Sequence, residues 1–299
     1  VRFDVESNTY WFRQSWLGDA LGCNERGRRK IIQPDWDWQG DAAAAGTAAH
    51  AAVQLFIIGL IHVEELGDEA ERIALDYVLY GVPDYHGGDP KPIIYKSFEN
   101  SAEMVSHARR CAEAWGRDLL PDVTLGGLTE VPFQVPLYRR DSGRGVGIEG
   151  TVDYAPPIDF LLDDWKNPGR SYKQWEKQRS DIQATTYCVA AVRGGFDSAW
   201  EEAGMTPPLY QWPMKFRFGV AVRGTKQAKG EFVPVMRGRG HELWLHHILD
   251  SFVDMDEVMG HDRSWIVNPT YSLCSEKWCP WWSDCQGKYL TTEQHTWKP

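Results

Sequence analysis

The chain has 299 residues, 42% of them hydrophobic and 25% charged, enough to bury a large core, and no apolar run approaches the length of a membrane span. These values describe a soluble globular protein; no charged-then-apolar leader follows Val1, so an intracellular setting is expected. A formal charge of -10 argues against nonspecific adhesion to nucleic acid, although phosphate binding needs only a local basic surface.

Residues 1–45 read as irregular, with a short helix near Ser15 to Cys23. The Ala-rich stretch from Gly46 to Leu60 predicts a buried helix with His50 in its first turns. Ala70, Ile73, Ala74, Tyr77 and Val78 recur at helical spacing within Asp68 to Tyr80. A Gly/Pro/Asp loop separates that helix from another over Ser97 to Leu119, with Met104, Ala108, Cys111 and Trp115 on one side. Strands are expected at about 128–138, 145–155 and 158–166, the last two joined by a turn at Pro156-Pro157. A single helix over Tyr172 to Val192 follows, then strands at Met214 to Val222 and Phe232 to Met236. A helix from His241 to Met259 precedes a cysteine-rich, loop-like tail after Asn268.

The hairpin GIEGTVDYAPPIDFLLDDWKN carries the chemistry. Side chains two apart on a strand share a face, so Asp164 and Lys166 project together while Asp163 points the other way. Asp153 and Asp164 with an ammonium beside them suit Mg2+ or Mn2+ and a phosphate, and hence phosphodiester hydrolysis. Taken alone, DxK is a common surface pattern. Here it follows Gly46-Thr47-Ala48-Ala49-His50 and precedes Gln183-Ala184-Thr185-Thr186-Tyr187.

In this order GTAAH, GTVD, DWK and QATTY resemble the GxxxH, GxxD, DxK and QxxxY motifs of the RecB-like PD-(D/E)XK exonucleases. That family includes the RecB and AddB nuclease domains and CRISPR-associated and phage RecB-like exonucleases with an iron–sulfur cluster. The likeness runs from about Ser15 to Gly287. It implies an α/β, restriction-endonuclease-like core, a mixed β-sheet flanked by helices, with a helical insertion and an Fe–S staple joining the N- and C-terminal ends. One nuclease domain is expected over 1–299: an N-terminal segment 1–45 with Cys23, a helix 46–60 with His50, the helical insertion 61–127, a catalytic core 128–260, and a cysteine-rich segment 268–299.

The resemblance implies that His50, Asp153, Asp164 and the backbone carbonyl of Trp165 hold the catalytic metal, and that Lys166 orients water or stabilises developing phosphorane charge. Glu130 stands where many relatives carry a strand glutamate near the site. Gln183 and Tyr187, four apart on one helical face, would hold the scissile phosphate or the lysine. Where the family often has an acid four residues after the histidine, this chain has Gln54. Phosphate-contacting candidates are Arg26-Gly27-Arg28-Arg29-Lys30, Arg139-Arg140 with Arg144, Lys226 with Lys229, and Arg237 with Arg239. Of fifteen tryptophans, one or two at most are expected to stack on bases.

Cys111 and Cys188 fall in helical patterns and read as buried thiols. Cys23 with Cys274, Cys279 and Cys285 forms the one-plus-three split that, by resemblance, binds a structural 4Fe–4S cluster. Structural Zn2+ is the alternative, although its usual paired CxxC knuckles are absent. Such a staple closes more than 250 residues, about 5 kcal/mol by chain entropy. The expected function is a Mg2+/Mn2+-dependent deoxyribonuclease, an exonuclease acting on single-stranded DNA or duplex ends in recombination or repair. Its setting would be the cytoplasm of a bacterial cell, with the gene cellular or phage-borne, and recombination proteins or a helicase as candidate partners. The alternative is a non-catalytic or accessory DNA-binding module of a recombination or DNA-processing complex.

Overall fold

The computed structural model describes residues 2–32, 39–83, 88–222, 228–261, 263–268, 271–275 and 277–285. Lys226, one of the basic candidates, lies outside them. The architecture is mixed α/β, with a mixed sheet flanked by helices. In chain order the elements are β1 (Arg2–Asp4), β2 (Thr9–Arg13), α1 (Gln14–Gly22), α2 (Asn24–Ile32), β3 (Gln39–Gly40), α3 (Asp41–Ile57), α4 (Leu66–Tyr80), β4 (Ile93–Ile94), α5 (Ser101–Asp118), β5 (Leu128–Arg139), β6 (Gly145–Ala155), β7 (Leu161–Lys166), α6 (Gln174–Ser180), α7 (Ile182–Val192), α8 (Asp197–Glu202), β8 (Met214–Val222), β9 (Lys229–Arg237) and α9 (Arg239–Met259). The chain divides into two compact units: Val1–Asp35, Gln134–Gly150 and Glu242–Pro299 form one, Trp36–Phe133 and Thr151–His241 the other.

In the second unit β7 pairs antiparallel with the end of β6, Tyr154 opposite Asp163, and parallel with β8, which pairs antiparallel with β9. The pleat sends Asp163 and Trp165 to one face of β7 and Asp164 and Lys166 to the other. On the Trp165 face lies α5, whose fully buried Trp115 donates its indole N–H to the Gly219 carbonyl at 3.0 Å and packs on Trp165. Position 219 must be glycine because a Cβ there would lie 2.5 Å from the Trp165 ring. Ala44, Ala45, Ala48, Ala49 and Ala52 of α3 are fully buried, and such small side chains let α3 pack closely with α4 and α5. These are the helices expected at 46–60 and within 61–127, but α3 begins five residues early, at Asp41. Its buried carboxylate accepts N–H bonds from Ala42, Lys96, Ser97 and Phe98 at 2.7–2.9 Å. Burial opposes ionisation there, and those donors overcome it, holding the Asp41 carboxyl below its ordinary range.

The single helix expected over 172–192 is two, α6 and α7, broken at Asp181. The Asp181 carboxylate caps α7 by accepting from Ala184 N–H at 2.9 Å. Arg237, one of the candidates for phosphate contact, is fully buried: its guanidinium bonds Thr185 Oγ1 and the carbonyls of Lys177, Gln178, Asp181 and Met236. Two of these carbonyls, Lys177 and Gln178, belong to the last turn of α6, where helical donors run out.

In the first unit, the expectation that residues 1–45 are largely irregular fails at β1, β2 and α2. Thr9, Tyr10, Trp11 and Phe12 are all buried, so β2 lacks the alternation that reveals a half-exposed strand; it pairs parallel with β6. The charged helix α2 is supported by Glu25, which pairs with Arg28 at 2.6 Å and Arg29 at 2.8 Å. α1 and α2 pack so closely that a Cβ at Gly27 would come within 2.6 Å of the Ala20 methyl. Trp16 donates to the Gly27 carbonyl and meets Phe252 of α9 edge-on at 4.9 Å. Other basic candidates are also engaged within this unit: Arg26 and Lys30 with Asp19, Arg140 with Asp250, Asp254 and Glu257, and Arg144 with Glu257.

Candidate active site and cysteine cavity

Within the second unit, His50 from α3, Glu130 from β5 and Asp153 from β6 each bring a ligand atom within 4.8 Å of the others. The backbone of Trp165 locks one of them: its N–H donates to Asp153 Oδ2 at 2.9 Å. His50 Nδ1 lies 3.5 Å from Asp153 Oδ2 and its ring stands edge-on to Trp115. Burial, reinforced by the Lys166 charge, lowers the His50 pKa below 6.5 against the opposing pull of Asp153. The imidazole is therefore neutral near pH 7, the form that binds metals. Gly46, one turn earlier, lets α3 approach the chain just beyond β7, since a Cβ there would lie 2.8 Å from Asn167 Oδ1. Nothing in the sequence distinguished Asn167 beyond its place after the DWK motif.

Glu130 has φ = +49°, an unfavourable left-handed conformation for a side-chain-bearing strand residue. The residue is solvent-exposed, but surrounding protein partly desolvates its carboxyl and Asp153 repels its charge; its pKa is pushed up to about 7. The sequence suggested a catalytic role for Glu130 without placing it among the metal ligands, yet here its carboxylate joins His50 and Asp153.

Asp164 occupies a different position. Fully buried, it accepts from Gln183 Nε2 at 2.7 Å through Oδ1, while Oδ2 lies 2.6 Å from Lys166 Nζ. The Lys166 ammonium is thus the cation that faces this buried carboxylate oxygen. Burial, and next the Asp153 charge, raise the Asp164 pKa. Burial works against the Lys166 ammonium, but the Asp164 and Asp153 carboxylates outweigh it and keep the lysine protonated. Gln183 Nε2 also reaches Tyr187 OH at 3.3 Å, and the Tyr187 ring packs against Phe133 and Phe216. Asp163, on the opposite face, is paired with Arg217. Gln54 lies 3.5 Å from Thr129 Oγ1.

In the first unit, Cys23, Cys274, Cys279 and Cys285 line one cavity with Arg26, Trp281 and Trp282. All six cysteines of the chain are thiols, and Cys111 and Cys188 are buried elsewhere. Burial pushes the Cys274 thiol up to about 11, and Cys23, Cys279 and Cys285 add to the shift. Four thiols that converge on one space form a donor set suited to a multivalent metal centre.

No protein-family model matches the chain, and no curated protein does. Among solved structures, a crystal structure of a "putative exonuclease" from Eubacterium rectale is similar over 94% of this chain and 90% of that one, at 13% identity and a TM-score of 0.47.

Proposed function

We propose that this chain is a metal-dependent nuclease, acting as a deoxyribonuclease of exonuclease type on single strands or duplex ends in DNA recombination or repair. The observation that carries the reading is the convergence of His50, Glu130 and Asp153, tied through the Trp165 backbone to the buried Asp164–Lys166 pair. The donors are one imidazole and carboxylates, a set suited to Mn2+ or Mg2+. A divalent cation bound there supplies Lewis acidity toward a phosphoryl oxygen and makes a nucleophile of water near neutral pH. Asp164 holds the Lys166 ammonium where it can face negative charge developing on a phosphate, and Gln183 fixes the other oxygen of Asp164. Asp153 is aimed by the Trp165 N–H rather than left to rotate. DNA as substrate, exonucleolytic action, and recombination proteins or a helicase as partners rest on the motif resemblance to RecB-like enzymes.

For the cysteine cavity, the same resemblance favours a 4Fe–4S cluster on Cys23, Cys274, Cys279 and Cys285, with structural zinc as the rival. Four thiols in one cavity support either. The nuclease reading is tested by incubating the purified protein with end-labelled single-stranded and duplex DNA in Mg2+, Mn2+ or EDTA. Metal-dependent cleavage by the wild type, lost in Asp153→Ala and Lys166→Ala proteins that melt normally, is the expected result; DNA left intact in both metals would overturn it.

A further inference from the structure

The segment that follows the Asp164–Lys166 strand is basic in an acidic protein. Residues 166–179 carry Lys166, Arg170, Lys173, Lys177 and Arg179 against one acid, Glu176, in a chain of net charge -10. Most of this segment faces outward, and α6 buries no residue. Hydrogen bonds from one side of the helix hold it against β9. Gln174 Nε2 donates to the Pro234 carbonyl at 3.0 Å. The Gln178 amide donates to the Met236 carbonyl at 2.9 Å and accepts from the Met236 N–H at 2.8 Å. Arg237 bonds carbonyls in its last turn. The helix is thus held in place without using its large apolar residue.

That residue is Trp175, 64% exposed, with the Lys173 ammonium 5.9 Å from its ring centre. Arg170 and Arg179 are also exposed, as is Lys173 in a solvent-facing pair with Glu176 at 3.2 Å, whereas Lys177 is taken up by Asp181 and the Tyr172 and Phe218 rings. The segment is joined to the candidate active site by packing, because the Tyr172 ring stands edge-on to Phe218 at 5.5 Å and Phe218 lies opposite Asp164 in the β7–β8 pair. A rigidly mounted, outward tryptophan among exposed cations, beside a phosphodiester-cleaving site, has the chemistry of a stacking platform for an unpaired base with phosphate contacts on either side. We infer that α6 is the single-strand binding element of this site: Trp175 stacks on a nucleobase, and Arg170, Lys173 and Arg179 contact the flanking phosphates. This deepens the nuclease reading and rests on it for the position of the scissile bond; the stacking itself is measurable without cleavage.

The experiment measures binding of a fluorescent single-stranded oligonucleotide by anisotropy in Ca2+, beside a matched strand of abasic sites, for wild type, Trp175→Ala and Trp175→Phe. Stacking predicts that Trp175→Ala binds the base-bearing strand about 5- to 150-fold more weakly and the abasic strand as the wild type does, while Trp175→Phe recovers most of the loss. Equal effects of Trp175→Ala on both strands, or none on either, would overturn the proposal, the second outcome leaving the exposed tryptophan to a protein partner. Cleavage in Mn2+ is read on the same proteins. Base-dependent binding without cleavage would sink the nuclease reading and spare the stacking one; cleavage with identical binding by wild type and Trp175→Ala would do the reverse.

Discussion

The carboxylate of Asp163 meets the guanidinium of Arg217 in a two-pronged pair, 2.7 Å to Nε and 2.6 Å to NH2, on the face of β7 opposite Asp164. Neighbouring aspartates are thereby assigned opposite work. Asp163 is fully buried, and its partner lies 4.3 Å from the Phe232 ring centre. Burial raises its pKa, and Arg217 is the group that offsets this. Asp163→Ala leaves a half-buried guanidinium without its partner and should cost as much as about 3 kcal/mol in urea unfolding, a loss larger than a surface aspartate would give. Asp164→Asn should instead lower cleavage roughly 1000-fold while the protein still unfolds cooperatively. A stable but inactive Asp163→Ala protein would reverse the two roles.

A cation held by Glu130 would bind in a pH-dependent way. With its pKa raised to about 7, Glu130 carries a proton below that pH and must release it to ligate a cation. Affinity for Mn2+ should therefore climb as pH rises through about 7 and then level off. His50, its pKa lowered, contributes no such step above pH 6.5. For the metal-free protein the sign is opposite: a carboxyl whose folded pKa is raised stabilises the fold below its unfolded pKa of about 4.5, and that contribution is lost as pH rises to about 7. Glu130→Gln should flatten both dependences. Titration calorimetry of Mn2+ in buffers of different ionisation enthalpy measures the released proton; an unchanged proton count in Glu130→Gln would remove Glu130 from the ligand group.

The parts of this structure legible in the sequence are those with a period. The Ala-rich α3, the amphipathic α5 and the alternating β6 all lie close to where the pattern put them, and Asp164 shares its face with Lys166 because the pleat requires it. What escaped was carried by single long-range contacts. Asp41 starts α3 by binding a loop more than fifty residues away, and Asp181 ends one helix and begins another. β2 is buried along four successive residues, so it has no alternation to read. The basic clusters misled for a related reason: charge is visible in a sequence, but the acid that neutralises it, such as Asp254 for Arg140, is not.

Arg237 illustrates that point and can be tested directly. Its buried guanidinium has one hydroxyl and four carbonyl oxygens as partners, and burial lowers its pKa. Arg237→Met should destabilise the protein by about 1–3 kcal/mol, because the Gln178 carbonyl loses its donor while the Lys177, Asp181 and Met236 carbonyls keep one each. The salt dependence of DNA binding should not change, since no phosphate is contacted. A variant with normal thermal stability and a shallower salt slope would return Arg237 to the DNA-binding surface.

The four cavity cysteines should behave as one unit and the two remaining cysteines as individuals. Cys23 is separated from Cys274, Cys279 and Cys285 by more than 250 residues of chain, yet all four line the same cavity. If they share a 4Fe–4S cluster, anaerobically purified protein is brown and contains iron. Serine at Cys23, Cys279 or Cys285 then loses colour, iron and solubility together, because one change removes a thiolate and opens the staple between distant segments. Cys274 is the most informative position: its thiol is pushed up to about 11, so only a bound metal centre would keep it ionised near neutral pH. Cys111 and Cys188 lie fully buried on α5 and α7, and serine at either should cost about 1–2 kcal/mol of packing and keep the iron. Iron and zinc analysis of the wild type and six variants decides the matter: zinc without iron would replace the cluster by a zinc ion held by the four thiolates, and full iron in Cys274→Ser would pass the fourth ligand to another residue.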